Sequence, residues 1–146
     1  MRGLSFVAGG ALYLVDVTLV QKVVRNMMAT PVPTAPEAVV GIASLKGKIV
    51  TVLSLPVLLG RAAQKASAPI SAIIIKPFGD SGDHVGLLID KPGDLIAIDE
   101  ILPPPVTAGT DETRCISGVT EAEGTLYRIV DIHAIIDRFM REGTNQ

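Results

Sequence analysis

The chain has 146 residues, a formal net charge of -2 and 48% hydrophobic residues, which excludes general disorder and bounds it to one compact domain or two small lobes sharing a core. Aromatic residues are only 3% and tryptophan is absent, so the core must be mostly Val, Ile, Leu and Ala; 10 prolines among many β-branched residues favour strands and turns over a helical bundle. The charge offers no general attraction for nucleic acid or an anionic membrane, and the single cysteine, Cys115, leaves no internal disulfide, which fits a reducing compartment.

Arg2 is followed by an apolar run from Leu4 to Val15, broken at its middle by Gly9-Gly10. A glycine pair between alternating residues reads as a hairpin turn rather than a signal peptide, giving strands over Leu4–Ala8 and Ala11–Val15. The stretch from Asp16 to Lys22 is ambiguous, with Asp16 placed to cap a short helical turn, and Val20 to Arg25 reads as a third strand. Asn26 to Pro36 is a proline-rich connection, and Glu37 to Val40 suits a short helical turn. Gly41 to Leu45 and Lys48 to Leu53 are the arms of a hairpin turning at Lys46-Gly47. In the second arm Lys48, Val50 and Val52 alternate with Ile49, Thr51 and Leu53; both sets are largely apolar, so both faces are expected to be covered. Leu55 to Leu59 is a terminating turn with Pro56 near its start.

Gly60 to Pro69 is the best linker, being small or polar without a β pattern. Beyond it, Ile70 to Lys76 reads as a buried strand, His84 to Asp90 as its return and Asp94 to Ile98 as another. Asp99 to Thr113 is a long connection, and Arg114 to Ala122 with Thr125 to Asp131 form a second hairpin. Residues Ile132 to Arg141 carry Ile132, Ile135, Ile136, Phe139 and Met140 at helical spacing, with Arg138 and Arg141 near the end. No run is long and apolar enough to span a bilayer, and the reading is a soluble, cytoplasmic protein.

The two hairpins are copies of one pattern. Gly41 matches Gly118, Gly47 matches Gly124, Ile49 matches Leu126, Ser54 matches Asp131 and Leu58 matches Ile135, without a gap. Each copy follows a proline cluster, Pro31, Pro33 and Pro36 or Pro103, Pro104 and Pro105, and Leu14-Val15-Asp16 echoes Leu88-Ile89-Asp90. Two similar halves imply two similar units. These are about five short strands each, at 4–60 and 67–131, before a helix at 132–141, and small barrels would remove their exposed edges.

Candidate chemistry is sparse. His84 and His133 belong to no spaced ligand motif, and Cys115 has no adjacent histidine. Asp80 and Asp83, with Gly79 and Gly82, form too short a series for a calcium loop and read as a solvated turn. Asp90 and Asp131 end strands in equivalent places and read as caps. Nothing supplies nucleophile, base and orienting group together, and no cofactor or metal motif is present, so an enzyme is not expected.

Four stretches in this order and spacing resemble the CheW-like coupling proteins of bacterial chemotaxis: Pro33-Thr34-Ala35-Pro36; Val40-Gly41-Ile42 with Leu45-Lys46-Gly47-Lys48-Ile49-Val50; Val85-Gly86-Leu87-Leu88-Ile89-Asp90; and Ile101-Leu102-Pro103-Pro104-Pro105. The resemblance runs from Phe6 to about Arg138. It implies a mostly β fold of two SH3-like five-stranded barrels with a C-terminal helix. It also implies a non-catalytic adaptor linking chemoreceptor cytoplasmic tips to the regulatory domain of a histidine autokinase, without a cofactor. Partner-binding positions carried over from the family are Val20, Val23, Gly41, Leu45, Lys46, Val85 and Gly86. Val20, Val23 and Leu45 suit plain core as well, and the glycines suit backbone geometry. The chain departs from the pattern the resemblance implies at Lys46, where the family usually carries arginine, at Ser44 and Ser54, and at Lys22, where an acidic residue is common. Those departures leave room for a divergent scaffold or decoy on the kinase of another motility or pilus pathway, or for a small-ligand sensor on the same barrels.

Overall fold

The computed structural model describes residues 1–61, 69–77, 84–104 and 115–137. Among the described residues, ten strands run in chain order as β1 (Arg2–Ala8), β2 (Ala11–Asp16), β3 (Val20–Met27), β4 (Val39–Leu45), β5 (Lys48–Leu53), β6 (Ile70–Ile75), β7 (His84–Ile89), β8 (Lys91–Ala97), β9 (Ile116–Ala122) and β10 (Thr125–Val130). A short helix α1 (Leu55–Leu58) follows β5, and residues 132–137 are helical after β10. The candidate calcium loop with Asp80 and Asp83, most of the linker, Pro105, Arg114 and the helix beyond residue 137 lie outside the described residues.

The elements expected from the sequence are present, with one expectation met at Asp16 and two differences, at residues 37–40 and at β8. Asp16 caps a 3-10 turn over Val17–Leu19, its Oδ1 accepting from the Thr18 amide at 3.0 Å, which resolves the ambiguous stretch before β3. The helical turn expected over Glu37–Val40 is instead a tight turn closed by the Val39 amide on the Pro36 carbonyl at 2.9 Å, and Val39 already begins β4. Strand β8 starts at Lys91, ahead of the expected Asp94, and contains Pro92. That proline is tolerated because β8 is an edge strand, and it sits where the register with β1 shifts between Leu4 and Phe6.

The strands form two five-stranded sheets, ordered β8-β1-β2-β10-β9 and β3-β6-β7-β5-β4. We call them sheet one and sheet two. The repeat makes β6 to β10 the counterparts of β1 to β5, and both sheets then have the same order. Each takes the first hairpin of one half (β1-β2 or β6-β7) and flanks it with the last three strands of the other. The joins are equivalent too: β10 runs parallel to β2, and β5 runs parallel to β7. The spans 4–60 and 67–131 therefore do not each hold one sheet's strands, because the halves exchange hairpins.

Each sheet curls around its own apolar interior, as SH3-like barrels do. In sheet two all five strands contribute, with Met27, Ala43, Val50, Val52, Ile70, Ala72, Ile74 and Leu88 buried together. In sheet one Leu14, Ile98 and Ile129 are buried, with Ile96 and Tyr127 packed against them. The largest core lies between the sheets. There Phe6, Tyr13 and Val15 of sheet one meet Leu53, Ile73, Ile75 and Leu87 of sheet two, closed by Leu55, Leu58, Ile132 and Ile135 of the helices. Phe6 and Tyr13 are a directly opposed cross-strand pair with ring centroids 5.6 Å apart. Burying each such aliphatic or aromatic side chain contributes about 1.5–3 kcal/mol, so this shared layer holds the exchanged hairpins in place. The two-faced burial expected of β5 holds at Val52 and Leu53 but not at Ile49, which is 59% exposed because no second layer reaches the turn end of the hairpin.

The repeat extends to atomic detail. Both hairpin turns have positive φ at two successive residues, Lys46 (50°) and Gly47 (77°), and Glu123 (51°) and Gly124 (78°), the signature of a type I′ turn. The Ser54 hydroxyl accepts from the Val57 amide at 3.5 Å, and Asp131 Oδ1 accepts from the Ala134 amide at 3.1 Å, so both cap the helical turn that follows. The Ser54 amide bonds the Ala38 carbonyl at 2.7 Å and the Asp131 amide bonds the Cys115 carbonyl at 2.8 Å. Asp90, expected to cap, acts differently: its Oδ2 accepts from the Gly10 amide in the first hairpin turn at 3.1 Å.

Candidate partner-binding surface

The turn end of sheet two opens into a cavity of about 160 Å³, the mouth of that sheet's interior. Its floor is Val50 and Ile74, and its rim carries Lys22 on β3, Lys46 and Lys48 at the β4-β5 turn, and His84 at the start of β7. Leu45, half-buried against the interior, forms one wall. Lys46 and Lys48 are exposed, and Lys22 and His84 are half-buried. No carboxylate lines this mouth among the described residues. Its chemistry is therefore that of a cationic rim around an apolar floor, suited to an acidic, partly apolar surface.

The local sequence explains the placement. Lys48 and Val50 share a face of β5, so the alternation that buries Val50 brings Lys48 to the mouth. On β3 the register slips, with Val20 opposite Ile75 and Lys22 opposite Ile74, so two residues of β3 match one step of β6. That irregularity turns Val20 and Val23 to the core shared by both sheets, while Val24 packs on the interior of sheet two.

The structure brings together only part of the set expected from the sequence. Leu45 and Lys46 line the mouth, and Gly86 lies beneath it: a Cβ there would be 3.2 Å from Ile74 Cδ1 and 3.3 Å from Val50 Cγ1. Val20, Val23 and Val85 pack instead against the shared core on the opposite face, Val85 only 8% exposed on the central strand. Val20 and Val23 thus pack on the face of the sheet opposite the mouth that Leu45 and Lys46 line. Gly41 is buried for a backbone reason, since a Cβ there would lie 2.6 Å from the Thr30 carbonyl oxygen. The Thr30 and Ile42 backbones exchange hydrogen bonds of 2.7 and 2.9 Å, pinning the proline segment across β4. Gly118 does the same in the second copy, 2.7 Å from the Leu102 carbonyl oxygen, beside the bridge between Leu102 and Val119. The sequence reading missed Lys48 and His84 as members of the mouth. The alternation of β5 carried the signal for Lys48, whereas His84 arrives only by the pairing of β7 with β5.

Among the described residues, no group of three or more His, Cys, Asp and Glu side chains is placed to hold a metal ion, and no helix is long and apolar enough to cross a membrane. Cys115 is buried against the Leu58 carbonyl at 3.8 Å.

Comparison with known proteins covers the same span as the fold. The model of the CheW-like domain matches residues 2–140. A Chemotaxis protein CheW of Rhizobium meliloti (strain 1021) is 27% identical over 141 residues, covering 95% of this chain and 89% of the relative. One from Treponema pallidum (strain Nichols) is 30% identical over 138 residues, covering 90% of this chain and 79% of the relative. The crystal structure of the scaffolding protein TtCheW from Thermoanaerobacter tengcongensis superposes with a TM-score of 0.75 at 29% identity, covering 89% of this chain and 88% of that one. The fold, the internal repeat and these matches agree that the chain belongs to the CheW-like domain family.

Proposed function

We propose that the chain is a non-catalytic adaptor that joins chemoreceptor cytoplasmic tips to the regulatory domain of a histidine autokinase in the cytoplasm. The observation that carries this reading is the family match across residues 2–140, in a chain whose relatives are chemotaxis CheW proteins. The mouth of sheet two supports it physically. Leu45 supplies an apolar wall and Lys46 an exposed cation, a pairing that fits the polar edge of an amphipathic helix. Val85 and Gly86 would act from beneath, by shaping the sheet, and Val20 and Val23 by fixing β3 that carries Lys22. The test is reconstitution of purified receptor fragments and kinase with and without this chain. Kinase output that responds to the receptor only when all three are present supports the adaptor. Binding to the kinase with no receptor coupling sinks it.

That last outcome is itself a second reading, a decoy. It draws on Lys22 and Lys46, which by the resemblance stand where an acidic residue is common and an arginine usual. A lysine offers a point charge where a guanidinium offers a planar two-bond fork, so a receptor contact built for arginine would be weakened.

A further inference from the structure

The mouth of sheet two is a concave space of about 160 Å³, of the size that holds a molecule like benzene. Its floor residues, Val50 and Ile74, are each 1% exposed, and Leu45 is its apolar wall. The floor rests directly on Gly86, where a Cβ would come within 3.2 Å of Ile74 Cδ1 and 3.3 Å of Val50 Cγ1. Having no side chain, Gly86 lets both floor residues lie low and keeps the cavity open. Around the rim stand Lys22 from β3, Lys46 and Lys48 from the β4-β5 hairpin, and His84 from β7.

The fold does not dictate this lining. The equivalent mouth of sheet one is a cavity of about 480 Å³ whose described lining includes Asp94, Asp99, Glu121 and Glu123 and no lysine or arginine. In the repeat, Glu123 stands where sheet two has Lys46, and Tyr127 where it has Val50. The chain carries a net charge of -2, so it has no general excess of cations. Three lysines converging on one small apolar cavity are therefore a local arrangement.

We propose that the mouth of sheet two is a binding site for a small phosphate monoester with a short apolar stem, its phosphate among the lysines and its stem on Val50 and Ile74. Charge complementarity selects the head group. Lysine ammoniums act as point charges without the planar fork that matches a carboxylate, so they favour the group with the most charge. A phosphate monoester carries about -1.5 to -2 near pH 7, more than any single carboxylate. The floor selects the stem, because aliphatic surface at the base of a concave site is best covered by an apolar group. The volume of the cavity limits that stem to a few carbons.

The experiment is titration of the purified chain with butyl phosphate, inorganic phosphate and pentanoate, followed by NMR shifts and calorimetry. The site shares Leu45 and Lys46 with the adaptor surface, but neither receptor nor kinase is present, so failure of one reading leaves the other standing. Butyl phosphate is expected to bind about tenfold more tightly than inorganic phosphate, from burial of the stem, and about tenfold more tightly than pentanoate, from the extra charge. Lys46→Gln with Lys48→Gln, both exposed positions, should weaken butyl phosphate at least about tenfold, whereas Glu121→Gln with Glu123→Gln at the other mouth should leave it unchanged. Gly86→Ala should raise the Kd of butyl phosphate about threefold and leave that of inorganic phosphate unaltered, which a general loss of folding would not do. Absence of butyl phosphate binding overturns the proposal, as does binding that ignores the lysine variant or pentanoate that binds equally well. Tighter binding of a phosphoserine peptide than of butyl phosphate would make the occupant a phosphorylated polypeptide and overturn the assignment to a small molecule.

Discussion

Asp90 accepts a hydrogen bond from the Gly10 amide at 3.1 Å, joining the end of the second half's hairpin to the turn of the first half's. Gly10 has φ of 81° and Gly9 of 59°, so this turn needs glycine and gains an anchor from a carboxylate far along the chain. Asp90→Ala should lower stability by about 0.5–1 kcal/mol, because the bond is charge-assisted but exposed. Thermal unfolding would show a fall of about 2–4 °C in Tm. An unchanged Tm would mean that strand pairing alone holds the turn.

Gly41 and Gly118 give a paired prediction. Neither has positive φ, and a Cβ on each would meet backbone oxygen, of Thr30 at 2.6 Å and of Leu102 at 2.7 Å. Gly41→Ala and Gly118→Ala should each cost about 1–3 kcal/mol in chemical denaturation, from displacement of the segment bridged to the strand. Gly86→Ala should cost less, because its nearest neighbour is the flexible tip of Ile74 at 3.2 Å. If Gly41→Ala is as stable as the parent yet loses partner binding, the glycine is a contact residue and the steric account fails.

Lys46 can be separated from its backbone. With φ of 50° it sits in the left-handed region, where asparagine and glycine are better tolerated than lysine. Lys46→Asn should raise stability by about 0.5 kcal/mol while removing the charge. Lys46→Arg should strengthen receptor binding and Lys46→Glu weaken it, most at low salt. Equal binding by all three variants across salt concentrations would leave Lys46 a surface charge.

Val20 and Val23 make poor binding probes, since both pack on the core shared by the sheets. Val20→Glu should lower stability by about 1–3 kcal/mol by placing a carboxylate against that core. Urea midpoints measured beside receptor affinity would show it: a stable variant with weakened binding would return Val20 to the contact surface.

The helix caps should rank by geometry. Asp131→Ala is expected to cost about 1 kcal/mol and Ser54→Ala less, because the aspartate bond is 3.1 Å and the serine bond 3.5 Å. Equal losses in a denaturant series would contradict that ranking.

Only part of the candidate surface was legible in the sequence. The turn at Lys46-Gly47 follows from local pattern, whereas Leu45 and Lys46 as contact positions came from the family resemblance; both residues line the mouth of sheet two. Which face Val20 and Val23 present was not legible. A one-residue irregularity in β3 reverses the alternation there, and nothing in Val20-Gln21-Lys22-Val23 announces it. His84 joins the mouth by long-range pairing alone.

By itself the sequence determined the strands, the turns and the repeat. Side-chain alternation, glycine at positive φ and capping residues act within a few neighbours, and the same residues recur at Gly41 and Gly118, Gly47 and Gly124, Ser54 and Asp131. Only the tertiary structure decided which strands share a sheet. The repeat does not say whether β1-β2 or β6-β7 joins β3, β4 and β5, and the structure pairs them with β6-β7. The choice falls to long-range terms: β5 lies parallel to β7 and β10 to β2, and the shared layer of Phe6, Tyr13, Ile73 and Leu87 forms between the sheets. The same exchange sets β8 beside β1 and β3 beside β6, and so brings Ile74 and His84 of the second half to the mouth that Lys22, Lys46 and Lys48 of the first half surround.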